Sequence, residues 1–203
     1  PPEYHAWPTL DGKSLPLDLR KVATVVTTKG MFYSLDSSAE RLVFPDWSTK
    51  TFEGVPYQLV DPRGDKTPNA VMLYSPQGAT PPRMPRSVEL PCNASAKAVH
   101  LLSGVSGWGY AGGEPRKSVS MIVRLHYADG KTEDHPLRDG VEFADYIRVV
   151  DVPGSRLAFN LDGRQLRHVR VAPERSEPID RIELVKGPDR TAPVVMAVTL
   201  ETE

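Results

Sequence analysis

The sequence has a single cysteine, Cys92, so no disulfide can form within the chain. Cys92 follows Val88 and Leu90 in an apolar stretch, and free cysteine is among the most buried residue types. We therefore expect Cys92 to be a small buried side chain and not a reactive thiol.

The chain also lacks an excess of charge and a long apolar run. There are 25 Lys and Arg against 26 Asp and Glu, a net charge of −1, which argues against nucleic acid as a partner. No stretch approaches the about 20 apolar residues of a transmembrane segment. Neither an initial Met nor a signal peptide is present, so we expect a processed product or an excised domain.

Catalytic motifs are missing as well. The five histidines show no HExxH or clustered ligand spacing, and Ser106 is not followed by the residues of a nucleophile elbow. The glycine-rich loop that follows lacks the Lys-Ser/Thr of a phosphate-binding loop. These absences favour a non-catalytic domain. A hydrolase stays open as the third class of function, because paired carboxylates depend on spatial separation that a sequence does not show.

What the chain does contain is 20 prolines and 15 glycines spread along its length, which interrupt helices and favour short strands joined by turns. The clearest element is residues 119–137. Apolar residues occupy every second position from Val119 to Tyr127, the pattern of a half-buried strand. Asp129 and Gly130 then favour a turn, so the segment predicts a β-hairpin.

Two registers of this hairpin are compatible with the sequence. A two-residue loop sets His126 opposite Glu133, whereas a type I turn with a bulge at Gly130 sets Arg124 opposite Asp134. The returning arm contains a proline and several charges, which suits the edge of a sheet.

Similar short runs recur along the chain and predict about ten strands in two packed antiparallel sheets, an all-β sandwich or jelly roll. We expect one domain over residues 15–203, preceded by an N-terminal arm or linker over residues 1–14. The apolar run 194–200 predicts a central strand, and residues 37–41 are the one segment with helical character. The other strand predictions cover residues 15–19, 22–27, 52–62, 70–74, 88–90, 98–102, 147–152, 156–161, 166–171 and 179–185.

The order of several motifs resembles the galactose-binding-like β-sandwich accessory domains. These motifs are Phe52-x-Gly54-Val55-Pro56-Tyr57 with Asp61-Pro62, Val88-x-Leu90-Pro91, Ala96 to Leu102, Tyr127 to Gly130, Gly140 with Asp145-Tyr146, and Thr191 to Val194. The resemblance implies a module attached to secreted bacterial proteins, located outside the cell, in the periplasm or at the cell surface. It also implies carbohydrate binding or domain packing, with structural calcium as an open alternative.

The glycine-rich loop 104–114 is the first candidate for a sugar site. Its five glycines leave Trp108 and Tyr110 free to stand out, and sugar sites need flat aromatic faces. Trp47 is a second candidate platform, and Tyr146 and Arg148 are candidates for hydroxyl contacts. Each has a structural alternative, since such aromatics also serve as packed loop anchors.

A calcium site could use the side-chain oxygens of Asp61, Asp65 and Asn69, because hard cations prefer oxygen ligands. Arg63 and Lys66 in the same loop oppose metal charge. Taken together, the sequence predicts a monomeric, non-catalytic module that binds a neutral glycan. The alternative is a structural or protein-interaction domain that orients a neighbouring module.

Overall fold

The computed structural model describes residues 13–202, which form an all-β, antiparallel architecture. One 3₁₀ turn, Pro81–Arg83, is the helical element of this range. Residues 1–12 of the predicted N-terminal arm lie outside the described residues. The strands are β1 Lys13–Pro16, β2 Lys50–Phe52, β3 Val55–Tyr57, β4 Val71–Met72, β5 Ser87–Ala94, β6 Ala98–Ser106, β7 Val119–Tyr127, β8 Thr132–Arg138, β9 Arg156–Leu161, β10 Arg164–Val171, β11 Ile179–Lys186 and β12 Ala192–Thr202.

Two sheets contain most of these strands. The six-stranded sheet has the order β1-β12-β6-β10-β9, with β4 also paired to β12, and the four-stranded sheet has the order β5-β11-β7-β8. Apolar side chains from both sheets, such as Leu101 of β6 and Val123 of β7, share one buried cluster. The predicted β-sandwich is therefore confirmed in outline.

A second apolar layer covers the other face of the six-stranded sheet. There, Leu102 of β6 and Met196 of β12 pack against Phe32, Leu42 and Tyr57 from the N-terminal half of the chain. Because both faces of this sheet are covered, every residue of β6 is buried, and so is β12 up to its last residue. This third layer was not predicted.

Strand β12 is central, as its apolar sequence predicts. It pairs with β6 along one side and with β4 and β1 along the other. The register shifts between Val195 and Ala197. As a result, Met196 and Ala197 both belong to the outer cluster, while Val195 and Val198 belong to the cluster between the sheets.

The hairpin of β7 and β8 adopts the bulged register. Arg124 lies opposite Asp134, and its Nε donates to the Asp134 carboxylate at 2.8 Å. Gly130 has a left-handed φ of 87°, and its N–H donates to the carbonyl of Tyr127 at 3.0 Å. Strand β8 is the edge of its sheet, which confirms the position expected for the proline-containing arm.

Two predicted strands are wrong. Residues 22–27 form turns around an isolated bridge between Val25 and Ala70, because the chain reverses where Ala23 N–H donates to Leu19 O. Residues 147–152 form a turn and a loop, since the Asp145 carboxylate takes the N–H of Ile147. Residues 37–41 contain turns and no helix.

Cys92 is half-buried against the core between the sheets, and its Sγ lies 3.2 Å from the carbonyl oxygen of Ile179. Burial raises the pKa of this thiol to about 11. The expectation of an unreactive side chain is consistent with this value. No helix among the described residues is long and apolar enough to cross a bilayer.

Candidate binding cleft beside Trp108

The loop that follows β6 presents Trp108 to solvent. Gly107 and Trp108 have consecutive positive φ angles of 81° and 65°. The left-handed region is costly for a residue with a side chain, and such strain is often found at functional sites. The turn leaves the Trp108 side chain 60% exposed, the largest exposed fraction among the exposed large hydrophobic residues described.

Tyr33 supports the Trp108 ring from a distant part of the chain. The ring centroids are 5.3 Å apart and the planes are inclined by 73°, an edge-to-face contact. Tyr33 is itself 48% exposed. The two rings together form an exposed aromatic surface.

A cavity of about 320 Å³ opens next to this surface. Its walls combine aromatic, glycine and charged residues from the loop after β6 and from the turn after β8. They are Trp108, Gly109, Tyr110, Ala111, Gly112, Glu114, Arg116, Asp139, Asp145, Ile147 and Arg148. Flat aromatic surface beside groups that can exchange hydrogen bonds is the combination that a sugar requires.

Two buried carboxylates hold the loop in place. Asp139 Oδ1 accepts the N–H of Tyr110 at 2.7 Å, and Asp145 Oδ1 accepts the N–H of Ile147 at 3.0 Å. A backbone hydrogen bond from Gly109 also reaches Asp145. Since Asp139 is wholly buried and Asp145 is only 4% exposed, both act as positioning residues for the loop and its rim.

The electrostatics of this pair are unusual. Burial raises the pKa of Asp145 to about 7, and the neighbouring Asp139 contributes to the rise. Burial also raises the pKa of Asp139, whose Oδ2 is enclosed and has no hydrogen-bond partner among the described residues. Carboxyl groups with a raised pKa beside a cleft are found at many functional sites.

Of the site residues predicted from the sequence, the structure brings Trp108, Tyr110 and Arg148 together around this cavity. Tyr146 points away from solvent: it is completely buried, and its hydroxyl donates to the carbonyl of Glu40 at 3.2 Å. Trp47 does not line the cavity and packs edge-on against Phe44 at 5.8 Å.

Three residues of the site were missed by sequence reasoning. Tyr33 and Asp139 belong to none of the motifs quoted above, and Asp139 is one of 26 acidic residues in the chain. Asp145 does occur in one of those motifs, directly before the predicted Tyr146, but it was not named as a site residue.

The oxygens proposed for calcium have separate protein partners. Asp61 Oδ1 accepts the backbone N–H two residues later at 2.7 Å, and Asp65 lies 4.0 Å from Lys29 Nζ. Asn69 is wholly buried and exchanges two hydrogen bonds with Thr27 at 2.8 and 2.9 Å. These contacts give the calcium hypothesis no support.

A different group of metal-ligating side chains lies on the outer face of the four-stranded sheet. The ligand atoms of Glu89, His126 and Glu183 lie within 4.8 Å of one another. Arg181 approaches Glu89 at 3.2 Å, and Arg124 approaches Glu183 at 3.8 Å. Because an arginine already lies next to each carboxylate, we interpret this group as cross-strand pairs of opposite charge and not as a metal site.

Comparisons of the chain with protein-family models, with curated proteins and with solved structures give no match. The resemblance to galactose-binding-like domains therefore stays a prediction.

Proposed function

We propose that this chain is a non-catalytic carbohydrate-binding accessory domain of a secreted bacterial protein, and that it binds a neutral glycan in the cleft beside Trp108. The observation that carries the proposal is the 60% exposed Trp108 ring at the edge of a cavity with polar walls. Sugar rings present C–H groups to an aromatic face and hydroxyl groups to polar neighbours.

The charges around the cavity favour a neutral ligand. On the exposed part of the wall, Glu114 contributes one carboxylate and Arg116 and Arg148 contribute two guanidinium groups, above the buried carboxyl groups of Asp139 and Asp145. These exposed charges nearly cancel, and the chain as a whole has a net charge of −1. Binding should therefore survive an increase in salt, since screening weakens long-range attraction between charges but not stacking.

The outer residues of the cleft make the polar contacts with the glycan. Arg148 is exposed, and Tyr110 is partly exposed next to it in the cavity wall. Asp139 and Asp145 lie beneath and fix the loop backbone. This division between a rigid support and exposed contact groups lowers the entropy cost of binding.

The test is a glycan array, read with and without calcium, followed by titration calorimetry with the strongest hit. Trp108→Ala should weaken binding by about fivefold or more, since a lost aromatic contact costs on the order of 1 kcal/mol. Trp108→Phe should retain part of the affinity. Leu35→Ala is the matched control, because Leu35 is 56% exposed and does not line the cavity.

Equal affinities of the parent and Trp108→Ala would refute the assignment of the cleft. A lower melting temperature for Trp108→Ala would instead show that the ring has a structural role. Addition of calcium should leave the array pattern unchanged if no calcium takes part in binding.

A protein-interaction role is the second candidate, and exposed aliphatic residues favour it. Ile147, in the cavity wall, is 37% exposed, and the nearby Val149 is 40% exposed. Such side chains would pack against a neighbouring module of the parent protein. If this domain binds the neighbouring module and binds no glycan, the protein-interaction role is supported.

A hydrolase is the third candidate, on the ground that two carboxyl groups with raised pKa lie near the cleft. The near-complete burial of both groups argues against it, because a general acid must reach the glycosidic oxygen. Release of reducing sugar from the array hit, lost in Asp145→Asn, would support this reading.

A further inference from the structure

The contact between Tyr33 and Trp108 constrains the shape of the ligand as well as its chemistry. Both side chains are about half exposed or more, at 48% and 60%, although each covers part of the other. Their planes meet at 73°. A flat ligand can lie against one of these faces but not against both.

The Tyr33 ring is held in this orientation by the residues behind it. Its backbone N–H donates to Oε1 of the buried Glu40 at 2.6 Å, and Gly30 N–H closes the same turn on Leu35 O at 3.0 Å. Phe32 packs edge-on beneath the Tyr33 ring at 5.2 Å. The inclination of the two exposed rings is therefore built into the turn.

Electrostatics link Tyr33 to the same cleft. Partial burial raises the pKa of Tyr33, and the carboxylates of Glu40 and Asp145 add to the rise. Tyr33 does not line the cavity itself, but its ring contacts Trp108, which does.

We infer that Tyr33 and Trp108 form a single two-ring platform for an oligosaccharide that bends between adjacent sugar units. One unit stacks on Trp108 and its neighbour contacts Tyr33. An extended, ribbon-like chain presents one plane and would reach only one ring. The inference rests on the proposed function and specifies its ligand class: a bent glycan chain of at least two units.

The experiment uses titration calorimetry with two series of oligosaccharides, each from one to six units. One series contains bent chains and the other extended chains, with gluco-, galacto-, manno- and N-acetylglucosamine members in each. For the gluco-, manno- and N-acetylglucosamine sugars, whose 4-hydroxyl is equatorial, α-(1→4) linkages bend the chain and β-(1→4) linkages extend it. For the galacto sugars, whose 4-hydroxyl is axial, the β-(1→4) chains belong to the bent series and the α-(1→4) chains to the extended series. The variants are Tyr33→Ala, Tyr33→Phe and Trp108→Ala, with Leu35→Ala as the control from the same turn.

We expect affinity to rise between one and two units in a bent series by about three- to tenfold, the range for one aromatic contact. Tyr33→Ala should abolish this step and leave the affinity for the single sugar unchanged. Tyr33→Phe should keep most of the step, because the ring is retained. Trp108→Ala should weaken binding of every length.

Several results would overturn the inference while leaving the proposed function intact. One is that the bent and extended series bind with equal affinity and that Trp108→Ala weakens both. Another is a length step that persists in Tyr33→Ala. A third is loss of single-sugar binding in Tyr33→Ala, which would indicate a corner site for one terminal sugar. Failure of every oligosaccharide and of the glycan array would refute both the platform and the proposed function.

Discussion

Nδ1 of His100 lies 3.2 Å from Nε2 of His168 in the layer between the six-stranded sheet and the N-terminal half of the chain. Neither histidine is more than 3% exposed. The row continues in both directions: the Tyr57 hydroxyl hydrogen-bonds with His168 Nδ1, and His100 Nε2 lies 3.1 Å from Glu201 Oε2. Burial lowers the pKa of both histidines, that of His168 to about 3.

The first prediction is that this histidine pair makes the fold sensitive to acid. A histidine in the unfolded chain has a pKa of about 6.5. Above that pH both states are neutral, and the contribution to stability is complete. As the pH falls from about 6.5 toward 3, only the unfolded state takes up the proton at His168, so the free energy of unfolding falls by up to about 1.4 kcal/mol per pH unit.

Urea unfolding between pH 7.5 and pH 5 measures this slope in the parent and in His168→Gln. The glutamine stays neutral and can still form hydrogen bonds, so the variant should show a shallower decline. The difference between the two profiles isolates His168 from other groups that titrate in this range. Parallel profiles would contradict the prediction.

The second prediction is that Asp145 has the opposite effect on the pH dependence of stability: its contribution falls as the pH rises. Its pKa in the folded chain is about 7, above the ordinary value of 3.8. The contribution of Asp145 to stability is therefore complete below about pH 3.8 and is lost as the pH rises to 7. Asp145→Asn has no charge to bury and keeps an acceptor for the Ile147 N–H.

The variant should gain stability relative to the parent between pH 4 and pH 7, by up to about 1.4 kcal/mol per pH unit, with no further gain above pH 7. Melting temperatures across this range measure the effect. Asp36→Asn, at an exposed acid, is the control and should follow the parent profile. If the difference in melting temperature between Asp145→Asn and the parent did not change with pH, the predicted titration of Asp145 in the folded chain would be wrong.

The third prediction tests the close packing under the Trp108 loop. A Cβ atom at Gly109 would lie 2.5 Å from Cγ2 of the buried Val105 and 3.4 Å from Asp139 Oδ1. Val105 belongs to the core between the sheets and cannot move freely. Gly109→Ala should therefore destabilise the fold by about 1–3 kcal/mol and displace the loop.

Gly112→Ala serves as the comparison from the same loop. A Cβ atom at Gly112 meets no atom within 4 Å, although its φ of 117° disfavours a side chain. It should lower the melting temperature less than Gly109→Ala and should not reduce glycan affinity to the same extent. Equal effects of the two substitutions would show that backbone conformation, and not the contact with Val105, limits the loop.

The fourth prediction concerns a buried ion pair at the turn before β12. Lys186 Nζ donates to Asp189 Oδ1 at 2.8 Å, and the two side chains are only 3% and 8% exposed. Asp189 also accepts the hydroxyls of Ser118 and Ser120. Lys186→Met removes the cation and should cost about 3–5 kcal/mol, because a buried charge is left without its partner.

The same measurement on an exposed pair provides the contrast. Arg20 and Asp18 form a salt bridge at 2.7 Å with side chains 73% and 48% exposed. Arg20→Met should leave the urea midpoint almost unchanged, since solvent screens exposed pairs. A similar loss in both variants would mean that burial does not set the strength of the Lys186 pair.

The sequence alone determined the elements whose signals are local. The alternation from Val119 to Tyr127 defined a strand with one buried face, and Gly130 supplied the left-handed residue that the bulged turn uses. The continuous apolar run that ends the chain required cover on both faces, and this made β12 central. In each case the residues responsible are close together in the chain.

Only the tertiary structure decided which side chains form the cleft. Tyr33 reaches Trp108 because the neighbouring Phe32 packs on the sheet from which the Trp108 loop emerges, and no short-range pattern specifies that contact. Tyr146 had the residue type of a binding group, yet the fold turned it inward. Strand and turn preferences depend on neighbouring residues, so the sequence predicted most of the strands, although residues 22–27 and 147–152 form turns and loops. Exposure and contacts depend on how layers stack over distant parts of the chain, and for that reason only the fold decided the site.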